Sequence, residues 1–128
     1  MRVLALDYGS ARTGVAVSDP TGVLARPLCV VQRAATPAGL DELVRLVTDQ
    51  EAELVVVGLP LTLRGERGPQ ALETEAFVAA LQGRLAVPVE TWDERLTTRL
   101  AEQTPSGSAI DALAAAHLLQ SRLDRGFA

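Results

Sequence analysis

The sequence predicts an α/β fold: a mixed five-stranded sheet, in the element order β-β-β-α-β-α-β-α, with helices on both faces. The composition is the first reason: 48% of the 128 residues are apolar but only 3% are aromatic, so the core is expected to consist of Ala, Leu and Val. The second reason is the order of the apolar patterns. The chain opens with short continuous apolar runs, which are typical of strands, and in its later part such runs alternate with segments whose apolar residues have helical spacing. The length fits one domain, residues 1–128.

The opening part of the chain is expected to form three antiparallel strands. Residues 2–7 form an apolar run that ends at an acid, and residues 13–18 and 23–31 supply the next two strands. Residues 19–22 (Asp-Pro-Thr-Gly) are typical of a type I turn. Pro27 indicates an edge position or a bulge in the third strand, because proline cannot donate a hydrogen bond to a neighbouring strand.

The apolar spacing then changes to that of helices. Thr36 and Pro37 are typical of an N-cap and a first helical position. The later elements expected are a buried strand at 54–58, a loop at 59–68, a helix at about 69–85, a strand at 87–92, a helical turn in 93–99, a loop at 104–108 and a helix at about 109–123. The apolar stripes expected to face the sheet are Leu40, Leu43, Val44 and Val47, then Phe77, Ala80, Leu81 and Leu85, then Ile110, Leu113, Ala114 and Leu118.

Charge and composition exclude some classes of function. The net charge of −4 argues against a protein that coats nucleic acid or membranes through bulk charge. All twelve basic residues are Arg, whose planar fork suits phosphate oxygens, so a few specific anion contacts are expected. A single cysteine, Cys29, excludes an internal disulfide, and no apolar run approaches the roughly 20 residues of a membrane helix. We therefore expect a cytoplasmic protein without a membrane partner.

Acidic residues stand where strands are predicted to end. Asp7 ends the first strand, Asp93 and Glu94 follow the fifth, and ligands of open α/β sheets bind at these carboxyl ends. Asp111, in the first turn of the last helix, is expected to be partly buried near the same end. Three converging carboxylates would suit Mg²⁺ or Mn²⁺, and a pair of such ions about 4 Å apart can promote phosphodiester cleavage. The alternative is that each acid only caps a turn or a helix.

Several motifs in register resemble those of one family. They are LALDYGS at 4–10, GVAVS at 14–18, VGLPL at 57–61, DERLTT at 93–98 and DALAA at 111–115. Together they resemble the YqgF family, also called RuvX, which comprises Holliday-junction-resolvase-like proteins with a ribonuclease H-like fold. The first motif is shared with sugar-kinase and actin-type ATPases, whereas DERLTT is the specific part.

The resemblance implies a metal-dependent nuclease that uses Mg²⁺ or Mn²⁺, with two ions expected. It implies processing of the 5′ end of pre-16S ribosomal RNA, a structured RNA, with Holliday junction DNA resolution or a non-catalytic ribosome-assembly role as the alternatives. Carried over residue by residue, the catalytic and metal-binding acids are Asp7, Glu94 and Asp111, with Asp93 as a rival to Glu94. Asp7, on the central strand, would bridge the two ions.

Basic and hydroxyl side chains near these acids are expected to contact the nucleic-acid backbone. The expected contacts are Arg12, Arg95, Thr97 and Arg99. Each has a local alternative, such as a solvated charge, an ion pair within the chain or a helix cap. The loop at 59–68, with Arg64 and Arg67, is either a solvated loop or a flap over the nucleic acid. The sequence does not determine whether the protein is a monomer or a homodimer.

Overall fold

A computed structural model describes residues 1–96 and 108–127 of the chain. The elements are β1 Val3–Asp7, β2 Arg12–Ser18, β3 Ala25–Gln32, α1 Pro37–Asp49, β4 Leu54–Leu59, α2 Pro69–Gln82, β5 Val89–Asp93 and α3 Ser108–Arg125. A 3₁₀ turn, Glu94–Leu96, follows β5. This confirms the predicted order of strands and helices.

The five strands form one mixed sheet in the order β3-β2-β1-β4-β5. β1 pairs antiparallel with β2, and β2 with β3, whereas β1, β4 and β5 are parallel. β3 is therefore an edge strand, and its register shifts where Val15 pairs with Cys29 and Ala16 with Pro27. Both expectations for Pro27, an edge position and a bulge, are confirmed.

Helices cover both faces of the sheet. α1 and α2 bury Leu43 and Phe77 against one face, together with the large side chains of β1 and β4. Within the described part of the chain, α3 is the helix that covers the other face, over β1, β2, part of β4 and the start of β3. Among the described residues, no helix has the length and apolar character needed to span a membrane.

The stripe expected for α3 is partly wrong. Leu118 is buried, but Ile110, Leu113 and Ala114 are only partly buried, and the helix instead turns Ala112, Ala115, Ala116, Leu119 and Leu123 toward the sheet. The sheet face beneath carries small side chains such as Ala5 and Ala16, so alanines allow the closest packing.

The stripe of α2 is also partly wrong, because Ala80 is exposed while Thr74 is buried. The Thr74 hydroxyl donates to the Gln70 carbonyl at 2.9 Å, which satisfies its polar group inside the core. α2 ends at Gln82, earlier than the expected 85, with Gly83 as its C-cap. The Gln82 side chain then links the helix end to the approach to β5: its Nε2 donates to the Val87 carbonyl, and its Oε1 accepts from the Val89 amide.

The start of α1 is confirmed: Thr36 is the N-cap, and its hydroxyl accepts from the Gly39 amide at 3.2 Å. The helical turn expected in 93–99 is described only as far as Leu96. The loop expected at 104–108 lies mostly outside the described residues, and Ser108 already belongs to α3.

Candidate active site

Asp7 ends the central strand of the sheet and has a glycine on each side. It pairs with Gly14 on β2, and Gly58 on β4 follows the last pair between β1 and β4. Residues at one register on neighbouring strands point to the same face, and Val3 and Ala5 of β1 pack toward α3. The half-buried side chain of Asp7 therefore belongs to the α3 face.

Glu94 lies directly over Gly58. A Cβ atom at Gly58 would lie 2.5 Å from Glu94 Oε1 and 2.9 Å from its Cγ, so only glycine leaves room for this side chain. Neighbouring strands are about 4.8 Å apart, so the Glu94 carboxylate occupies the space beside Asp7.

The other glycine admits the first turn of α3. A Cβ atom at Gly14 would lie 1.8 Å from the backbone oxygen of Asp111. This contact sets Asp111 on the opposite side of Asp7 from Glu94. The structure thus brings all three predicted acids to one edge of the sheet, on its α3 face.

Asp111 forms an ion pair that leaves one of its oxygens incompletely satisfied. Arg12 Nε lies 2.9 Å from Asp111 Oδ2, with 41% and 27% of the two side chains exposed. Although the two atoms are close, the N–H group of Arg12 does not point at the oxygen well enough to form a hydrogen bond. The buried Oδ2 therefore has no hydrogen-bond partner in the described part of the chain. At this distance the guanidinium charge still compensates the carboxylate, so a metal ion bound here would share this oxygen with Arg12 or displace Arg12.

Asp93, the rival of Glu94, is engaged elsewhere. Its carboxylate accepts from Arg95 Nε at 3.0 Å and from Nη2 at 2.7 Å. The hydrogen bond from Arg95 holds the pKa of Asp93 below its usual value, despite partial desolvation. Asp93 is therefore tied to a guanidinium, whereas the Glu94 carboxylate lies over Gly58.

The acids suit a hard divalent cation because all their donor atoms are oxygens, and one of them is the buried Asp111 Oδ2. Within residues 1–96 and 108–127, no group of three or more His, Cys, Asp or Glu side chains is gathered closely enough to hold a metal ion. The structure shows Arg12 beside Asp111 instead.

Two of the four residues expected to contact nucleic acid form ion pairs within the chain, and the other two lie outside the described residues. Arg12 contacts Asp111 and Arg95 contacts Asp93, while Thr97 and Arg99 lie outside the described residues. In the loop after β4, Arg67 pairs with Glu75 of α2 at 3.1 Å.

Gly14 and Gly58 are positions of this candidate site that sequence reasoning missed. Each interrupts an apolar strand, and an isolated glycine within a strand is a signal of close backbone approach. That signal indicates contact but does not say which residue approaches.

Comparisons with known proteins agree with this architecture. A sequence model described as "RuvX: Holliday junction resolvase" matches residues 1–125. A protein of Syntrophomonas wolfei is 41% identical, with 98% of this chain and 96% of the relative covered, and carries the name "Putative pre-16S rRNA nuclease". A Listeria innocua protein with the same name is 40% identical, with 97% and 98% covered.

Two solved structures share the fold at low identity. Thermus thermophilus RuvC in complex with a Holliday junction substrate has a TM-score of 0.61 and 18% identity, and 100% of this chain and 98% of that chain are covered. The fowlpox virus Holliday junction resolvase has a TM-score of 0.57 and 13% identity, with 98% and 99% covered. They confirm the expected ribonuclease H-like fold.

Proposed function

The chain belongs to the RuvX family, and from that premise we propose that it is a nuclease that hydrolyses phosphodiester bonds at the 5′ end of pre-16S ribosomal RNA. One observation carries the proposal: glycines on both sides of Asp7 let Glu94 and Asp111 approach it from opposite sides. Relatives that match nearly the whole chain are named for this reaction. We expect the protein to act in the cytoplasm, on structured RNA.

Asp7, Glu94 and Asp111 are the proposed catalytic acids and would hold Mg²⁺ or Mn²⁺, with two ions expected. When bound, a divalent cation of this kind supplies Lewis acidity toward the phosphoryl group. Glu94 is preferred over Asp93 because its carboxylate lies over Gly58, whereas Asp93 binds Arg95.

Arg12 is proposed to bind a phosphate oxygen of the RNA. Its guanidinium lies beside the acids and remains 41% exposed, and its fork can make two parallel hydrogen bonds to a phosphate. Thr97 and Arg99 are proposed as further backbone contacts. With a net charge of −4, attraction for RNA depends on such few arginines, so binding should be weak and sensitive to salt, with a slope of about one for each phosphate contact.

Holliday junction resolution is the second candidate, because the matching family model is described in those words. A synthetic RNA with the 5′ extension of 16S ribosomal RNA and a four-way DNA junction, each with Mn²⁺, would distinguish the two. We expect cleavage of the RNA. Preferential cleavage of the junction would replace the proposal by the second candidate, and RNA binding without cleavage would indicate a non-catalytic assembly factor.

The role of the acids is tested by Asp7→Asn, which keeps the size of the side chain and removes its charge. We expect the cleavage rate to fall by at least about 100-fold, with an unchanged melting temperature. The matched control is Asp41→Asn, an exposed acid on α1 that pairs with Arg84. Full activity of Asp7→Asn would overturn the metal-nuclease mechanism.

A further inference from the structure

We propose that Arg95 is a positioning residue: through Asp93 it fixes the turn that presents Glu94, and it fastens the 60–68 loop to that turn. This inference rests on the proposed function, because it assigns Glu94 a part in catalysis. It replaces the expectation that Arg95 contacts nucleic acid directly.

The first support is the way in which Arg95 encloses the turn. Its backbone amide donates to Asp93 Oδ1 at 3.0 Å, and its Nε donates to both carboxylate oxygens at 3.0 Å. Its Nη2 donates to Asp93 Oδ2 at 2.7 Å. Charged, forked hydrogen bonds of this kind have a defined geometry, so the residue between the two partners, Glu94, is held in place.

The second support is the alternation of side chains along β5. Trp92 pairs with Gly58, and Asp93 pairs with the next residue, Leu59. Successive residues of a strand point to opposite faces, so Asp93 lies on the face opposite Gly58. Glu94 reaches back over Gly58 on the α3 face. The Asp93–Arg95 pair therefore braces the turn from the side opposite the Glu94 carboxylate.

The third support is the contact of Arg95 with the loop after β4. Its Nη1 donates to the Leu63 carbonyl at 3.3 Å. A Cβ atom at Gly65, which has a φ of +82°, would lie 3.4 Å from both terminal nitrogens. The loop is closed by the Gly65 amide, which donates to the Thr62 carbonyl at 2.8 Å. One guanidinium thus packs on the loop and on the acidic turn together.

These contacts leave Arg95 poorly suited to bind phosphate. Its Nε and both terminal nitrogens already donate within the chain, and its charge is compensated by Asp93. A phosphate would have to displace a forked ion pair.

The test is a double-mutant cycle of Arg95→Ala and Asp93→Ala on the full chain, with kcat and KM measured on the RNA substrate. If Arg95 acts through Asp93, each single variant lowers kcat on the order of 10-fold with KM changed less than about twofold. The double variant is then no worse than either single variant. Arg95→Lys keeps the charge but not the fork, so it should not restore kcat.

Two readouts do not depend on cleavage. Calorimetric titration with Mn²⁺ alone should show affinity weakened on the order of 10-fold in each single variant and no further in the double variant. Hydrogen exchange in residues 61–66 should increase for Arg95→Ala. Arg84→Ala, which breaks an exposed pair with Asp41, is the matched control and should change neither.

The results that would overturn the inference are distinct from those that would overturn the proposed function. A raised KM with unchanged kcat, activity retained by Arg95→Lys, and a salt slope of RNA binding reduced by about one would make Arg95 a phosphate contact. Additive losses in the cycle would also contradict it. If the wild type cleaves no RNA, the proposed function fails, while the Mn²⁺ cycle and the exchange data still decide the role of Arg95.

Discussion

Replacing Gly58 by alanine should disable the site without unfolding the chain. The added Cβ would lie 2.5 Å from Glu94 Oε1, whereas ordinary contacts begin at 3.4 Å. The Glu94 carboxylate must therefore move by about 1 Å. The Glu94 Cγ would also be too close, at 2.9 Å, so the whole side chain must turn away from Gly58; a change of side-chain rotamer allows this without a shift of the backbone.

The expected loss of activity follows from the displacement of the Glu94 carboxylate. A misplacement of about 1 Å in a catalytic group can reduce the rate on the order of 100-fold. Gly58 is not among the glycines with positive φ, so alanine fits its backbone, and the stability should stay within about 1 kcal/mol of wild type.

Gly14→Ala provides the contrast within the same site. Its Cβ would lie 1.8 Å from the Asp111 carbonyl oxygen and 2.3 Å from the carbonyl carbon, so the backbone of α3 or β2 has to shift. We expect a loss of about 3 kcal/mol, at the upper end for overpacking. The melting temperature should fall by about 10 °C.

The assay compares melting temperature, Mn²⁺ affinity and RNA cleavage in the two variants and in Gly83→Ala. Gly83 has its nearest obstacle at 3.5 Å and serves as the neutral control. The reasoning is refuted if Gly58→Ala keeps wild-type cleavage and Mn²⁺ affinity, or if it destabilises the chain as much as Gly14→Ala does.

Three further predictions concern other regions. Thr36→Ala should cost about 1 kcal/mol in urea unfolding, because the cap of α1 is lost, and Thr36→Ser should not. The Thr21 hydroxyl and the backbone amides of Thr21, Val23 and Leu24 hold the pKa of Asp19 well below its usual range. Because the pKa of Asp19 is lower in the folded than in the unfolded chain, the ionised carboxylate stabilises the fold at pH values above its unfolded pKa, about 4. The melting temperature should therefore fall as the pH drops below about 4, and it should fall less steeply in Asp19→Asn. Burial raises the pKa of Cys29, so iodoacetamide at pH 8 should alkylate the folded chain more slowly than the unfolded chain, and equal rates would contradict this.

Local signals explain why most of the fold is predictable from the sequence. Thr36 and Pro37 mark the start of α1, and Pro27 marks an edge, because capping and the missing amide hydrogen act within a few residues. The face of α3 is not predictable in the same way. An alanine-rich helix has no unique apolar stripe, so its rotation is decided by the sheet beneath, where Gly14 allows the closest approach.

The site is predictable in its acids and not in their surroundings. Asp7, Asp111 and the pair Asp93 and Glu94 follow from their places after strands and in a helix start; the choice of Glu94 comes from the family resemblance, and the catalytic roles stay predictions. Asp93 and Glu94 are adjacent, so the sequence cannot separate them, whereas the structure gives their side chains different surroundings: Asp93 binds Arg95, and Glu94 lies over Gly58. The partners of Arg95 depend on a loop some thirty residues earlier, which no local pattern reveals.

The bulged edge of the sheet has a consequence for behaviour at high concentration. β3 offers no amide hydrogen at Pro27, and its register shift interrupts the row of groups that a strand from another copy would need. Because a net charge of −4 gives only modest repulsion between copies, we expect this interruption to hinder edge-to-edge pairing through β3.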